Sequence, residues 1–262
     1  MKMRQKWFGI CGSVTLGAGL LLAGCGASSN SYVRAVNASP GLTNYTVQVG
    51  ETPVVSSLPY GTEGVVQQGT YGAADTSGNY RPVGAGAKQS ILVYQQAASS
   101  PLASQSQTLL QNGHYTIVTI NPAPGIGLLT LTDDDSAPQG GDFKLRVVQT
   151  SSSAGAVDVY VTALAGPNGV IPAASTLTPA LSNFTFGQVT QTYFALSPGT
   201  YAVQITPHGN SNTVLVQTAF TPVAGHIYTA FALDPPAGGA GKFGLLVTND
   251  PVAATTATSS KT

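Results

Sequence analysis

Charge, sulfur and long apolar runs are all scarce in this 262-residue chain. Charged residues make up 8% of it, with ten Lys plus Arg against ten Asp plus Glu, so the formal net charge is zero. There is no basic face to follow nucleic-acid phosphates. There is also no like-charge block of the kind that makes a charge-driven disordered tail. Two cysteines cannot build a disulfide-dense scaffold or a four-thiolate zinc site. Neither a G-x-S-x-G elbow nor H-E-x-x-H occurs, and the three histidines lie far apart along the chain. Beyond the N-terminal segment no run approaches 18 uninterrupted apolar residues, the length that would suggest a membrane span. What is plentiful is Gly (31), Pro (17) and a 42% hydrophobic content, enough for a real core among many turns.

The N-terminus is a different kind of sequence. Lys2, Arg4 and Lys6 precede a glycine-interrupted apolar stretch from Trp7 to Leu22, the pattern of a secretory signal. Leu22-Ala23-Gly24-Cys25 resembles the bacterial lipobox. That resemblance implies recognition of Leu22, Ala23 and Gly24 by the signal peptidase, cleavage after Gly24 and acylation of Cys25. Two or more acyl chains anchor stably, since each buried CH₂ contributes about 0.8 kcal/mol. Residues 1–24 are therefore read as signal peptide and 25–31 as a flexible polar tether. Loss of Lys2, Arg4 and Lys6 takes the neutral precursor to a mature charge of −3, and Trp7, both Met and Cys11 leave with them. With Cys25 acylated, no disulfide-linked partner is expected.

The mature chain reads as strands. Tyr45, Val47 and Val49 alternate with Thr46 and Gln48, and Val157, Val159 and Val161 do the same. Further strands are predicted over 32–37, 89–95, 114–120, 126–132, 143–149, 200–206, 213–220, 226–233 and 243–248. Turn residues recur every ~8–12 positions, as in a sandwich. The chain also repeats itself. Val33-Arg34-Ala35-Val36 matches Leu145-Arg146-Val147-Val148, and Gly113-His114-Tyr115 matches Gly225-His226-Ile227, both 112 residues on. Thr132-Asp133-Asp134 matches Thr248-Asn249-Asp250. A longer loop is expected around 164–180 in the second copy. The reading is two tandem domains, 32–137 and 142–251, with a linker at 138–141 and a disordered tail at 252–262.

The order of motifs resembles a family of bacterial surface domains, domain of unknown function 4397. The residues that carry this are Tyr32-Val33-Arg34-Ala35-Val36-Asn37-Ala38-Ser39-Pro40, Tyr60-Gly61, Val157-Asp158-Val159-Tyr160-Val161, Ser197-Pro198-Gly199-Thr200-Tyr201 and Leu131-Thr132-Asp133-Asp134. The second copy departs from it with Thr150-Ser151-Ser152 in place of Ala-Ser-Pro. The resemblance implies an all-β protein with two tandem immunoglobulin-like or transthyretin-like β-sandwich domains, exported to the cell envelope.

Few residues suggest chemistry. Asp133, Asp134 and Asp135, with Asp142 nearby, form the one acidic cluster and the only candidate calcium ligands; a solvated turn is the simpler expectation. His114, His208 and His226 read as strand- and turn-end residues. Gly84–Ser90 lacks phosphate-loop spacing and precedes a strand. Glu51 and Glu63 are a remote glycosidase pair. Arg34 and Arg146 are expected to pair with carboxylates or carbonyls. Asn37, Asn44 and Asn183 open glycosylation sequons that a bacterial chain has little reason to use. The eleven tyrosines suit cores first and a sugar-stacking face second.

The sequence thus predicts a lipid-anchored envelope protein of structural or interaction type. No catalytic residues, cofactor or nucleic-acid partner are expected. A carbohydrate- or peptide-binding surface module is the alternative. Expected partners are the membrane, through the lipid, and an envelope protein or glycan. Gly26 stands where an Asp favours inner-membrane retention in some bacteria, so the outer membrane or cell surface is the expected location.

Overall fold

The computed structural model describes residues 29–43, 45–64, 80–95, 98–121, 125–237, 241–250 and 252. Among them the protein is all-β, with one short 3-10 turn at Ala174–Thr176. No helix of the described residues is long and apolar enough to cross a membrane.

The first half contains β1 (Asn30–Asn37), β2 (Tyr45–Val49), β3 (Thr52–Ser56), β4 (Glu63–Gly64), β5 (Arg81–Gly84), β6 (Gly86–Gln95), β7 (Pro101–Leu109), β8 (His114–Ile120) and β9 (Gly127–Asp133). One sheet runs β4-β1-β8-β9, with β5 also paired to β1; the other runs β3-β2-β6-β7. The second half contains β10 (Phe143–Gln149), β11 (Val157–Leu164), β12 (Leu181–Phe184), β13 (Phe194–Leu196), β14 (Thr200–Pro207), β15 (Val216–Phe220), β16 (Ile227–Leu233) and β17 (Gly244–Asp250). Its sheets run β13-β10-β16-β17 and β12-β11-β14-β15. The two halves share one plan. In both, the first strand pairs in parallel with the penultimate one, Arg34 opposite Thr116 and Arg146 opposite Thr229.

Alternation along the strands builds three cores. Val33, Ala35, Val47, Ile91, Val93 and Ile117 close the first sandwich. Phe143, Leu145, Val159, Val203 and Ile205 close the second. The third lies between the halves, where Val36, Val118 and Leu131 meet Val148, Phe231 and Leu233. The two inner sheets, β4-β1-β8-β9 and β13-β10-β16-β17, therefore bury both faces, and the molecule is four sheets deep. That explains the near-continuous burial of β8 and β10, which a sheet with one wet face would not show.

The structure extends the expected strands and adds others. β1 begins at Asn30 and pairs with Gly84, and the Ser29 carbonyl accepts from Ala85, so ordered structure starts before residue 32. β3, β4, β5, β7, β12 and β13 have no counterpart among the predicted strands. All lie outside the central positions of their sheets. β7, Pro-Leu-Ala-Ser-Gln-Ser-Gln-Thr-Leu, is polar and largely exposed.

Candidate functional site

A network of ionisable groups lies between the halves. Arg34 and Arg146 sit mid-strand on the faces of β1 and β10 that look toward the other half. Arg34 is fully buried and ion-pairs with Asp250. Its Nε donates to Thr116 Oγ1 at 2.8 Å and its Nη1 to the Asn249 carbonyl at 3.1 Å. Arg146 mirrors this. Its Nη2 meets Asp133 at 2.5 Å, its Nε donates to Thr229 Oγ1 at 3.0 Å, and its Nη1 to the Thr132 carbonyl at 3.0 Å. Each arginine thus reaches the end of the other half's last strand. Each partner aspartate also accepts from a threonine hydroxyl of its own half: Thr116 to Asp133 at 2.7 Å and Thr229 to Asp250 at 2.5 Å. A tyrosine ring lies 5.0 Å from each guanidinium, Tyr80 for Arg34 and Tyr193 for Arg146, adding cation–π attraction.

The pairing sets the protonation states. Burial pushes the Asp133 carboxyl up, but the Arg146 and Arg34 charges and the Thr116 hydroxyl hold it below the usual range. Burial opposes the Arg146 charge, and Asp133 and Asp250 more than restore it. Glu63 breaks the symmetry. It meets Arg34 at 2.6 Å, yet its carboxyl is raised, by burial first and then by repulsion from Asp250 and Asp133. Arg34 is shared among several carboxylates and cannot neutralise all of them. At the matching register of the second half, Val189 bridges Val148 where Glu63 faces Val36.

This geometry places the acidic cluster. Asp133 turns inward to Arg146. Asp134 meets Lys144 at 2.6 Å and Ser136 Oγ at 2.5 Å. Asp135 lies 3.3 Å from His114 Nδ1. The calcium candidates Asp133, Asp134 and Asp135 are therefore not brought together, because each faces a different side chain: Arg146, Lys144 and His114. Among the described residues no group of three or more His, Cys, Asp or Glu is placed to hold a metal ion.

The histidines are dispersed. His114 stacks on Tyr32 with centroids 5.0 Å apart and meets the Tyr80 ring edge-on at 5.2 Å, a more enclosed setting than a solvent-facing tip. His226 stacks on Tyr228. His208 Nδ1 lies 2.9 Å from Asp158. That carboxylate also accepts from Ser182 Oγ and from the Asn183 and Gly209 amides. These bonds outweigh burial and depress it strongly. Ser182 Oγ and His208 Nδ1 both face the same Asp158 oxygen, so the three do not line up as serine, imidazole and carboxylate in series. Asp234 accepts from the amides and hydroxyls of Ser152 and Ser153 and from Ser151 Oγ, a turn-forming role.

Other expected candidates fall apart similarly. Glu51 is exposed in the β2–β3 turn while Glu63 faces Arg34. Gly84–Ser90 runs through β5 and β6 without a helix. The Asn37 amide donates to the Leu42 and Leu58 carbonyls and is buried, out of reach of a glycan. Leu22, Ala23, Gly24 and Cys25 lie outside the described residues, as do Asn44 and most of the expected tail.

Two paired sandwiches joined by a reciprocal buried contact define an all-β, double-repeat protein. The chain belongs to the family described as Domain of unknown function (DUF4397), which it matches over residues 31–160 and 171–262, in two copies. No curated protein matches it. Solved structures similar to it include an alpha-glucan-binding streptococcal virulence factor, 13% identical over 77% of this chain and 92% of that one, TM-score 0.25. Family 41 carbohydrate-binding modules from streptococcal virulence factors are 11% identical with the same coverage, TM-score 0.24. A Bacteroides fragilis protein ascribed to cell adhesion is 14% identical over 85% of this chain and 97% of that one, TM-score 0.22.

Proposed function

We propose that the protein is a lipid-anchored, non-catalytic contact module of the bacterial cell envelope, held by acylated Cys25 and displayed at the outer membrane or cell surface. The observation that supports it most is the fate of the ionisable groups. Arg34, Arg146, Asp133 and Asp250 are spent on joining the halves, and Asp158 and Asp234 on turns. Nucleophile, acid and base are not gathered in a cleft among the described residues. Outward faces carry Thr, Ser and Gln, which suit contact more than chemistry. In this reading the residues from Cys25 to the start of β1 at Asn30 tether two domains, joined at 138–141.

Membrane fractionation tests the anchor. Cys25→Ala should move the protein from the membrane to the soluble fraction, and protease applied to intact cells should degrade the wild type. Unchanged fractionation of the variant would overturn the lipid anchor; protection of the wild type would overturn surface display. The second reading, a carbohydrate- or peptide-binding module, is favoured by one specific surface, the half-buried Tyr94 and Leu92 on the outer face of the β3-β2-β6-β7 sheet.

A further inference from the structure

The two halves are each other's control, and their outer faces differ. In the second half the outer positions of β11 and β14 are covered. Tyr160 is 3% exposed and Gln204, its register partner, 1%. The cover is the long connection between β11 and β12, residues 165–180. Gln204 Nε2 donates to the Pro172 carbonyl at 3.0 Å, Ala174 is buried, and the Ala180 amide returns to the Val159 carbonyl. This segment, Ala-Gly-Pro-Asn-Gly-Val-Ile-Pro-Ala-Ala-Ser-Thr-Leu-Thr-Pro-Ala, carries no charge and three prolines.

In the first half that connection is the two-residue turn Gly50-Glu51, with Gly50 in the left-handed region at φ 58°. Among the described residues no such strap lies over the matching face. Gln48 and Leu92 take the register places of Tyr160 and Gln204, and Thr46 and Tyr94 lie beside them. All four are only half-buried. Leu102, the extra residue of a bulge opposite Val93 and Tyr94, is 44% exposed, and Ser90, Ser104 and Ser106 are exposed on the same sheet. None of these positions is charged, and the one cation of β6, the exposed Lys88, stands toward the start of that strand.

We propose that this outer face of β2, β6 and β7 is a docking surface for an extended, uncharged, proline- and alanine-rich polypeptide segment of another envelope chain. The bound segment takes the place that 165–180 takes on the second half. An uncharged face strongly favours an uncharged ligand, since a buried unpaired charge is costly. Proline pre-orders such a segment and lowers the entropy lost on binding. The inference rests on the contact role proposed above and specifies its surface.

The test uses the full chain in detergent micelles and a fluorescently labelled synthetic peptide with the sequence of residues 165–180, read by anisotropy. Saturable binding is expected, weakened about tenfold or more by Leu92→Glu and by Tyr94→Ala. Both side chains face outward, and unchanged thermal unfolding of each variant verifies that the fold is intact. Absence of saturable binding overturns the proposal. So does binding that both variants leave intact. If maltooligosaccharides saturate this face while the peptide does not, the polypeptide proposal falls and the contact role stands.

Discussion

Glu63 is the residue at which the two halves stop being equivalent. Four carboxyls, those of Asp133, Asp134, Asp158 and Asp234, are held below their ordinary values by cations and hydrogen bonds that outweigh burial. They bind protons less tightly folded than unfolded. Their stabilisation is therefore present above pH ~4 and lost as the pH falls through their folded values. Glu63 has the opposite sign, raised from 4.5. Between pH 4.5 and its folded value the native state holds more protons, so stability falls as pH rises through that window. Glu63→Gln should abolish this fall and leave the acid limb in place. Urea midpoints at a series of pH values from 3 to 8 measure it; an unchanged profile above pH 4.5 would refute the assignment. The sequence showed Arg34 and Arg146 as equivalent and in need of partners. It could not show that each partner stands at the end of the other half's last strand, for Arg34 a residue 216 positions away. Three adjacent aspartates likewise look like one site in a linear text. In the fold they answer Arg146, Lys144 and His114 separately.

Among elements, β16 bears most directly on how the halves hold together. It is central in its sheet, parallel to β10 and antiparallel to β17. Its alternation sends Ala230 and Ala232 into the second sandwich and Phe231 and Leu233 into the core between the halves. Phe231 is fully buried. Phe231→Ala should cost about 3–5 kcal/mol by the lost transfer energy and the cavity left behind, measured by chemical denaturation. A cost below about 1 kcal/mol would mean that this contact is loosely packed. The same double-sided burial decided which strands were legible. Runs such as Phe143–Gln149 and His114–Ile120 are rich in β-branched and aromatic residues, and were located to the residue. β7 and β12 pack one poorly apolar face at a sheet edge and leave no such pattern. The long connection at 164–180 was visible as an insertion, but not as the cover of a sheet face, because nothing in its composition points to Gln204.

At the scale of the molecule, the inner sheets make the halves interdependent. Separating them would expose the third core and leave two arginines and two aspartates without their partners across the contact. Buried ion pairs add little net stability, but removing one partner typically costs about 3–5 kcal/mol. The intact chain should unfold in one transition, coincident by tyrosine fluorescence and far-ultraviolet circular dichroism. Arg34→Ala should lower stability by about that amount and resolve two transitions. A biphasic wild type, or an Arg34→Ala variant with wild-type stability, would contradict this account. Proteolysis should then cut near 138–141 more readily in the variant than in the parent.

The reciprocity of Arg34–Asp250 and Arg146–Asp133 has one more consequence. Each half offers its neighbour the same arginine and the same terminal aspartate, which is the arrangement of an isologous contact in a two-fold dimer. Here both protomers are written into one polypeptide. Their encounter is intramolecular, governed by an effective concentration fixed by the connecting residues. A molecule assembled this way cannot dissociate on dilution. Being parts of one chain, its two copies can also differ where two identical protomers could not: Glu63 stands where the second half has Val189, and among the described residues a strap covers the outer sheet of the second half alone.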